Sequence, residues 1–117
     1  MELHELVRAV LAGDLITARQ LVSDAQRMKQ HWDRLAQPLG LSERELTVAA
    51  ALTELLAIRA GERPPSWTTT VGPSRETIVL DPGLEQMPRS FARAKNSGPE
   101  ALRRRNLIAL PDFLSVA

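Results

Sequence analysis

The side chains that could do chemistry in this 117-residue chain are few and scattered. Its two imidazoles, His4 and His31, stand far apart in sequence. Each falls on the polar side of its expected helix, where a solvated histidine is the ordinary outcome. There is no cysteine, which excludes thiol nucleophiles, disulfides and thiolate zinc sites. The chain also lacks H-E-x-x-H, a phosphate loop with G-K-[ST], G-x-S-x-G and G-x-G-x-x-G. Ser66 to Thr70 supplies hydroxyls but no neighbouring base to activate one. Glu43 and Glu45 are first-turn carboxylates favoured by a helix dipole rather than an acid and base pair. The expectation is therefore no enzyme, no metal and no cofactor.

Binding chemistry is better represented. From Gln86 to Leu110 there are six basic residues, Arg89, Arg93, Lys95, Arg103, Arg104 and Arg105, against one acid, Glu100. Guanidinium forks grip phosphates and carboxylates in a bidentate manner, so the five arginines are candidates for anion or nucleic-acid contact. On a helix Arg89 and Arg93 share a side at i, i+4, away from Phe91, whereas Arg103 to Arg105 cannot all point one way. The competing expectation is that one or two pair with Asp112, Glu100 or helix C-termini while the rest are solvated. Only Phe91 is interleaved with them, and surfaces that read nucleic acid carry more aromatic or polar base-reading residues. The overall charge of +1 does not predict nucleic-acid binding either. An acidic protein surface would satisfy the same arginines.

These residues must be positioned by a mostly helical scaffold. The core has to be built from Leu, Val, Ile and Ala, since the only aromatics are Trp32, Trp67, Phe91 and Phe113 and there is no tyrosine. That favours helix packing in one domain spanning 1–117. The strongest element is Ser42 to Gly61, opened by a capping box of Ser42 with Glu45 and closed by Gly61, Pro64 and Pro65. It carries two apolar seams: Val48, Leu52, Leu55 and Leu56 on one side, and Leu46, Ala50, Thr53 and Ala57 nearly opposite. Before it, Leu3, Leu6, Val7, Val10 and Leu11 make an amphipathic helix over about 2–12, stopped at Gly13, and Asp14 caps the next. The second helix is expected over about 15–37, its stripe running Ala18, Leu21, Val22, Ala25, Met28, Trp32, Leu35 and Ala36, until Pro38 and Gly40 end it. The third helix covers about 42–60, completing a three-helix scaffold over residues 1–61. The corner V-L-A-G-D-L-I-T-A-R-Q-L-V resembles the helix turn of ankyrin-type repeats, but no second copy recurs at the repeat period, so shared hairpin chemistry is the reading.

Beyond residue 61 prolines and glycines exclude continuous helix. Two β-prone runs, 67–71 and 76–80, flank Gly72-Pro73-Ser74-Arg75 and read as a β-hairpin with Trp67 as its anchor. Short helices are expected from Pro88 and from Pro99, followed by an extended run from Leu107 to Leu110. The apolar tail of Phe113, Leu114 and Val116 must complete the core or dock on another chain. The fold class is thus mainly α, with residues 62–117 packed on the scaffold or on a partner. No apolar run is long enough to span a membrane, and M-E-L-H-E-L lacks the features of a secretory leader, so a soluble cytoplasmic protein is expected.

The pattern P-P-S-W-T-T-T-V-G-P, then M-P-R, then P-E-A-L-R-R-R-N-L-I-A-L-P-D-F-L, over residues 64–117, resembles small bacterial antitoxin or accessory partners of nucleotidyltransferase-type toxins. That resemblance implies a protein that binds a partner enzyme and assigns no role to any matched position. The leading expectation is a protein-binding module whose partner is another protein, its own copy or an enzyme. In it Trp67, Phe113 and Leu114 wrap the partner, and the seam Leu46, Ala50, Thr53, Ala57 is a docking groove. The alternative is a nucleic-acid-binding regulator using Arg89, Arg93 and Arg103 to Arg105. Major-groove reading by the third helix is disfavoured, since it presents Ala50, Ala57, Glu43, Glu45 and Glu54 where Arg, Asn or Gln would be needed.

Overall fold

The computed structural model describes residues 1–116; Ala117, the last residue of the apolar tail, lies outside the described residues. The chain is mainly helical, with a small two-stranded parallel sheet. Helix α1 (Leu3–Leu11) buries Leu3, Leu6, Val7, Ala9 and Val10. Gly13 adopts the left-handed conformation, φ 75°, and the Asp14 amide returns to the Ala9 carbonyl at 2.9 Å. Asp14 then caps α2 (Leu15–Arg27) by accepting the Thr17 amide at 3.1 Å. The Gly-Asp corner predicted from sequence is the observed one, and α1 and α2 pack together.

Helix α2 stops ten residues before the periodicity predicts, at Arg27 rather than 37. Lys29 takes a left-handed conformation, φ 53°, and the Gln30 amide bonds back to the Ala25 carbonyl at 2.9 Å. The apolar stripe does continue in sequence, yet Met28 is 83% exposed while Trp32 is 2% exposed. Breaking the helix lets a 3₁₀ turn, Trp32–Arg34, swing the indole inward against α3.

Helix α3 (Glu43–Arg59) opens with the predicted capping box. The Glu45 amide donates to the Ser42 hydroxyl at 3.1 Å, and the Ser42 amide donates to the Glu45 carboxylate at 2.9 Å. Those bonds from Ser42 hold the Glu45 carboxyl below its ordinary pKa. Every residue from Thr47 to Ala57 is buried, so α3 is covered on all sides. One flank meets α1, and the others meet the Trp32 turn, a 3₁₀ segment at Ser66–Thr70 and the short helix α5 (Glu100–Arg103).

The C-terminal half corrects the β-hairpin expectation. Residues 66–70 coil into 3₁₀ helix because Thr68, Thr69 and Thr70 each return their hydroxyl to the carbonyl three residues back, at 2.7, 2.8 and 2.9 Å. Hydroxyl side chains here offer the backbone a local alternative to a ladder. The second β-prone run does form a strand, β1 (Ile78–Val79), but its partner is β2 (Leu107–Ile108), in parallel register with Ile78 opposite Leu107. A parallel pair needs a crossover, and α4 (Pro88–Ser97) together with α5 supplies it. Helix α4 rests on a satellite cluster of Leu84, Ala94 and Ile108, bordered by Val79, Phe91 and Leu110. Phe113 and Leu114, each 1% exposed, join the main core with residues from α1, α2 and α3. One continuous core therefore runs through both halves of the chain.

The turn between α4 and α5 depends on a close backbone approach. A Cβ on Gly98 would lie 2.4 Å from the Ala109 carbonyl oxygen and 2.5 Å from that of Ala94. Neither backbone atom can give way cheaply. Gly98→Ala should therefore destabilise the fold by about 1–3 kcal/mol, read as a shift in the urea midpoint. Ser97→Ala, one exposed position earlier, should leave that midpoint within experimental error.

Candidate functional site

The residues predicted to receive a partner are mostly occupied by the chain itself. Ala50, Thr53 and Ala57 are fully buried, and the Thr53 hydroxyl donates to the Ala49 carbonyl at 2.8 Å. Phe113 and Leu114 are core residues, and the Trp67 indole, half-buried, donates its N–H to the Leu35 carbonyl at 2.8 Å. Leu46 and Trp67 alone among the seven keep partial exposure. The second seam of α3 is not an open groove, since Ala50, Thr53 and Ala57 are all covered by the chain's own packing.

The basic stretch divides in the same way. Arg105 is 3% exposed and donates to the Glu54 carboxylate, to the Ala101 carbonyl at 3.0 Å and to the Thr68 carbonyl at 2.7 Å. Its Nε has no partner, and burial pushes the guanidinium pKa down from its usual value. Arg104 bonds the other oxygen of Glu54, which is itself 6% exposed. The three charges staple the C-terminal half onto α3. Neither Asp112 nor Glu100 is the partner the sequence suggested. Arg103 donates to the Gly98 and Asn96 carbonyls at 2.7 and 3.2 Å, closing the last turn of α4 as expected of an arginine at a helix C-terminus.

What is left is the outer side of α4. Pro88 begins this helix, Ala94 and Phe91 fasten it to the satellite cluster, and Arg89 and Arg93 stand one turn apart on its exposed surface. Among the described residues neither makes a hydrogen bond or ion pair. The Lys95 ammonium sits 5.6 Å from the centroid of the Phe91 ring, a cation–π distance. Met87, 47% exposed, adds an apolar edge just before the helix, and Glu85 and Glu100 are the acids that flank it along the chain.

Among the described residues several open depressions mark the surface. The first, about 310 Å³, is lined by Ser42, Glu43, Arg44, Thr47, Ser74, Arg75, Glu76 and Ile78. Its hydroxyls are engaged: Ser42 caps α3, and Ser74 donates to the Glu76 carbonyl at 2.6 Å. Sequence reasoning missed one further cluster, where His31, Asp33 and Glu62 bring a ligand atom each within 4.8 Å of one another. The sequence pattern alone places His31 on a solvated helix side. The signal for the cluster lay in helix ends rather than periodicity, since His31 and Glu62 directly follow the closing turns of α2 and α3. His4 lies apart from it, its Nε2 2.8 Å from the Leu39 carbonyl oxygen.

Among the described residues no helix is long and apolar enough to cross a membrane. No family model, no curated protein and no solved structure matches the chain.

Proposed function

We propose that the chain is a small self-contained binding module, without catalytic activity, that engages an acidic surface of a partner protein through the outer side of α4. The observation that carries this reading is the contrast within one basic stretch. Arg103, Arg104 and Arg105 are consumed internally, while Arg89 and Arg93 are held one turn apart in solvent on a helix fixed from below. Exposed, unpaired guanidinium groups suit carboxylates at a protein interface, where arginine is enriched. Two arginines and one lysine are few for a nucleic-acid surface, which gains affinity from many phosphate contacts. The resemblance of residues 64–117 to antitoxin and accessory proteins supports an enzyme as that partner, which the module restrains or accompanies.

The test is quantitative co-purification from the native host, followed by titration of the purified pair. The double variant Arg89→Glu, Arg93→Glu should keep the wild-type circular dichroism and lose affinity on the order of tenfold or more, about 1.4 kcal/mol or above. Wild-type affinity should also weaken as salt is raised. Undiminished binding by the double variant would remove α4 as the docking face. Tight, salt-dependent binding of mixed-sequence DNA or RNA by the wild type would favour the nucleic-acid reading instead.

A further inference from the structure

We propose that His31, Asp33 and Glu62 form a binding site for a divalent transition-metal ion, with zinc as the best match. The proposal is independent of the α4 reading. One imidazole and two carboxylates are a mixed donor set suited to zinc and its neighbours rather than to magnesium or calcium, which favour oxygen alone. The three ligand atoms lie within 4.8 Å of one another, so one ion can touch all of them. His31 Nδ1 and Glu62 Oε2 are hydrogen-bonded at 3.2 Å, a contact that a shared ion would replace. That separation matches the edge of a tetrahedron, about 3.3 Å, around an ion with bonds of about 2.0 Å.

Both arms of the site are fixed by the fold. Trp32, in the core, holds its two neighbours His31 and Asp33 on a 3₁₀ turn at the surface. Glu62 follows Gly61, which is left-handed at φ 72°, and the Glu62 amide closes α3 by donating to the Ala57 carbonyl at 2.8 Å. The Trp32 amide donates to Glu62 Oε1 at 2.9 Å, which turns Oε2 toward the imidazole. An outer-shell bond of that kind orients a metal-bound carboxylate.

Electrostatics favour a cation at the same place. Helix α2, closing at Gln30, and helix α3, closing at Glu62, bring their C-terminal ends to this spot, and each carries the negative end of a helix dipole. The adjoining depression is lined by Gln26, Lys29, Gln30, His31, Trp32, Ala60 and Glu62, leaving room for water in the remaining coordination positions. Lys29 is the only cation lining that depression, and the Met1 ammonium, 3.4 Å from Gln30 Oε1, is a second positive charge beside it. Lys29 is exposed, on a side chain long enough to turn its ammonium to solvent. Three protein ligands with open positions describe an exchangeable ion rather than a closed structural one. Bound there, the ion would tie the end of α2 to the end of α3.

Calorimetric titration of the metal-free full chain with zinc chloride should show one ion per chain, and zinc should raise the melting temperature. His31→Gln and Asp33→Asn touch nothing in the core. Each should weaken zinc binding by at least about 10- to 100-fold, the loss already typical of removing an outer-shell partner. Glu62→Gln should do the same, and His4→Gln should bind as the wild type does. Because Glu62 also holds the Trp32 amide, His31→Gln decides the matter if Glu62→Gln unfolds. The proposal is overturned by absence of saturable zinc uptake in the wild type, or by wild-type affinity in His31→Gln.

Discussion

Replacing Glu54 with alanine should lower the free energy of unfolding by about 3–5 kcal/mol, the range found when one partner of a buried ion pair is removed. The reason lies in what remains. Arg105 is 3% exposed, with Nε already unpartnered, and its position is fixed by the Ala101 and Thr68 carbonyls, so it cannot follow the lost charge to water. Arg104 is half exposed on its side chain and can be resolvated, so the uncompensated charge is that of Arg105. For a domain of this size, with roughly 5–15 kcal/mol in total, such a loss takes a large share of stability. The pair Glu54→Leu with Arg105→Met should recover most of it, because an apolar replacement of both partners removes the buried charges together. Urea unfolding of Glu54→Leu, of Arg105→Met and of the double variant closes the cycle. A loss under about 1 kcal/mol for Glu54→Ala would mean that Arg105 escapes to solvent and that the staple is incidental.

The staple also marks where sequence stops being legible. Glu54 reads as a solvated carboxylate on a helix wheel, and Arg104 and Arg105 read as a basic run, because nothing local says that they meet from opposite halves of the chain. The elements that could be read were those with local punctuation. The Ser42 and Glu45 box, the Gly13 and Asp14 corner and Pro88 at the start of α4 each satisfy backbone groups within a few residues, and each stands where predicted. The elements that could not be read were decided at long range. The stripe through Met28 and Trp32 continues in sequence, but the fold needs Trp32 in the core and breaks the helix to put it there. Ile78 and Val79 look like half of a hairpin, yet their ladder is with Leu107 and Ile108, across two intervening helices. The site residues follow the same division. Arg89 and Arg93 were identifiable from i, i+4 spacing alone, whereas His31 and Glu62 meet only because two helix ends converge.

The largest remaining effect is expected at Phe113. As a partner-wrapping residue it could be removed without harm to the isolated chain, but as a core residue it cannot. It is 1% exposed and packs in the main cluster with residues of all three long helices. Arg59 fastens the segment by donating to the Phe113 carbonyl, and to the Pro111 carbonyl at 3.2 Å. Phe113→Ala should therefore cost about 3–5 kcal/mol, from lost transfer energy plus the cavity left behind. The melting temperature should fall by roughly 10–20 °C, since each kcal/mol is worth a few degrees in a domain of this length. The partner measurement then separates the two roles of the C-terminal half. Below its melting transition, Phe113→Ala should bind the acidic partner as the wild type does, because α4 stands on its own satellite cluster of Leu84, Ala94 and Ile108. Arg89→Glu with Arg93→Glu should show the reverse, unchanged melting and lost binding. If Phe113→Ala melts like the wild type but no longer binds, the tail is a docking element after all and the filled core described for it is wrong.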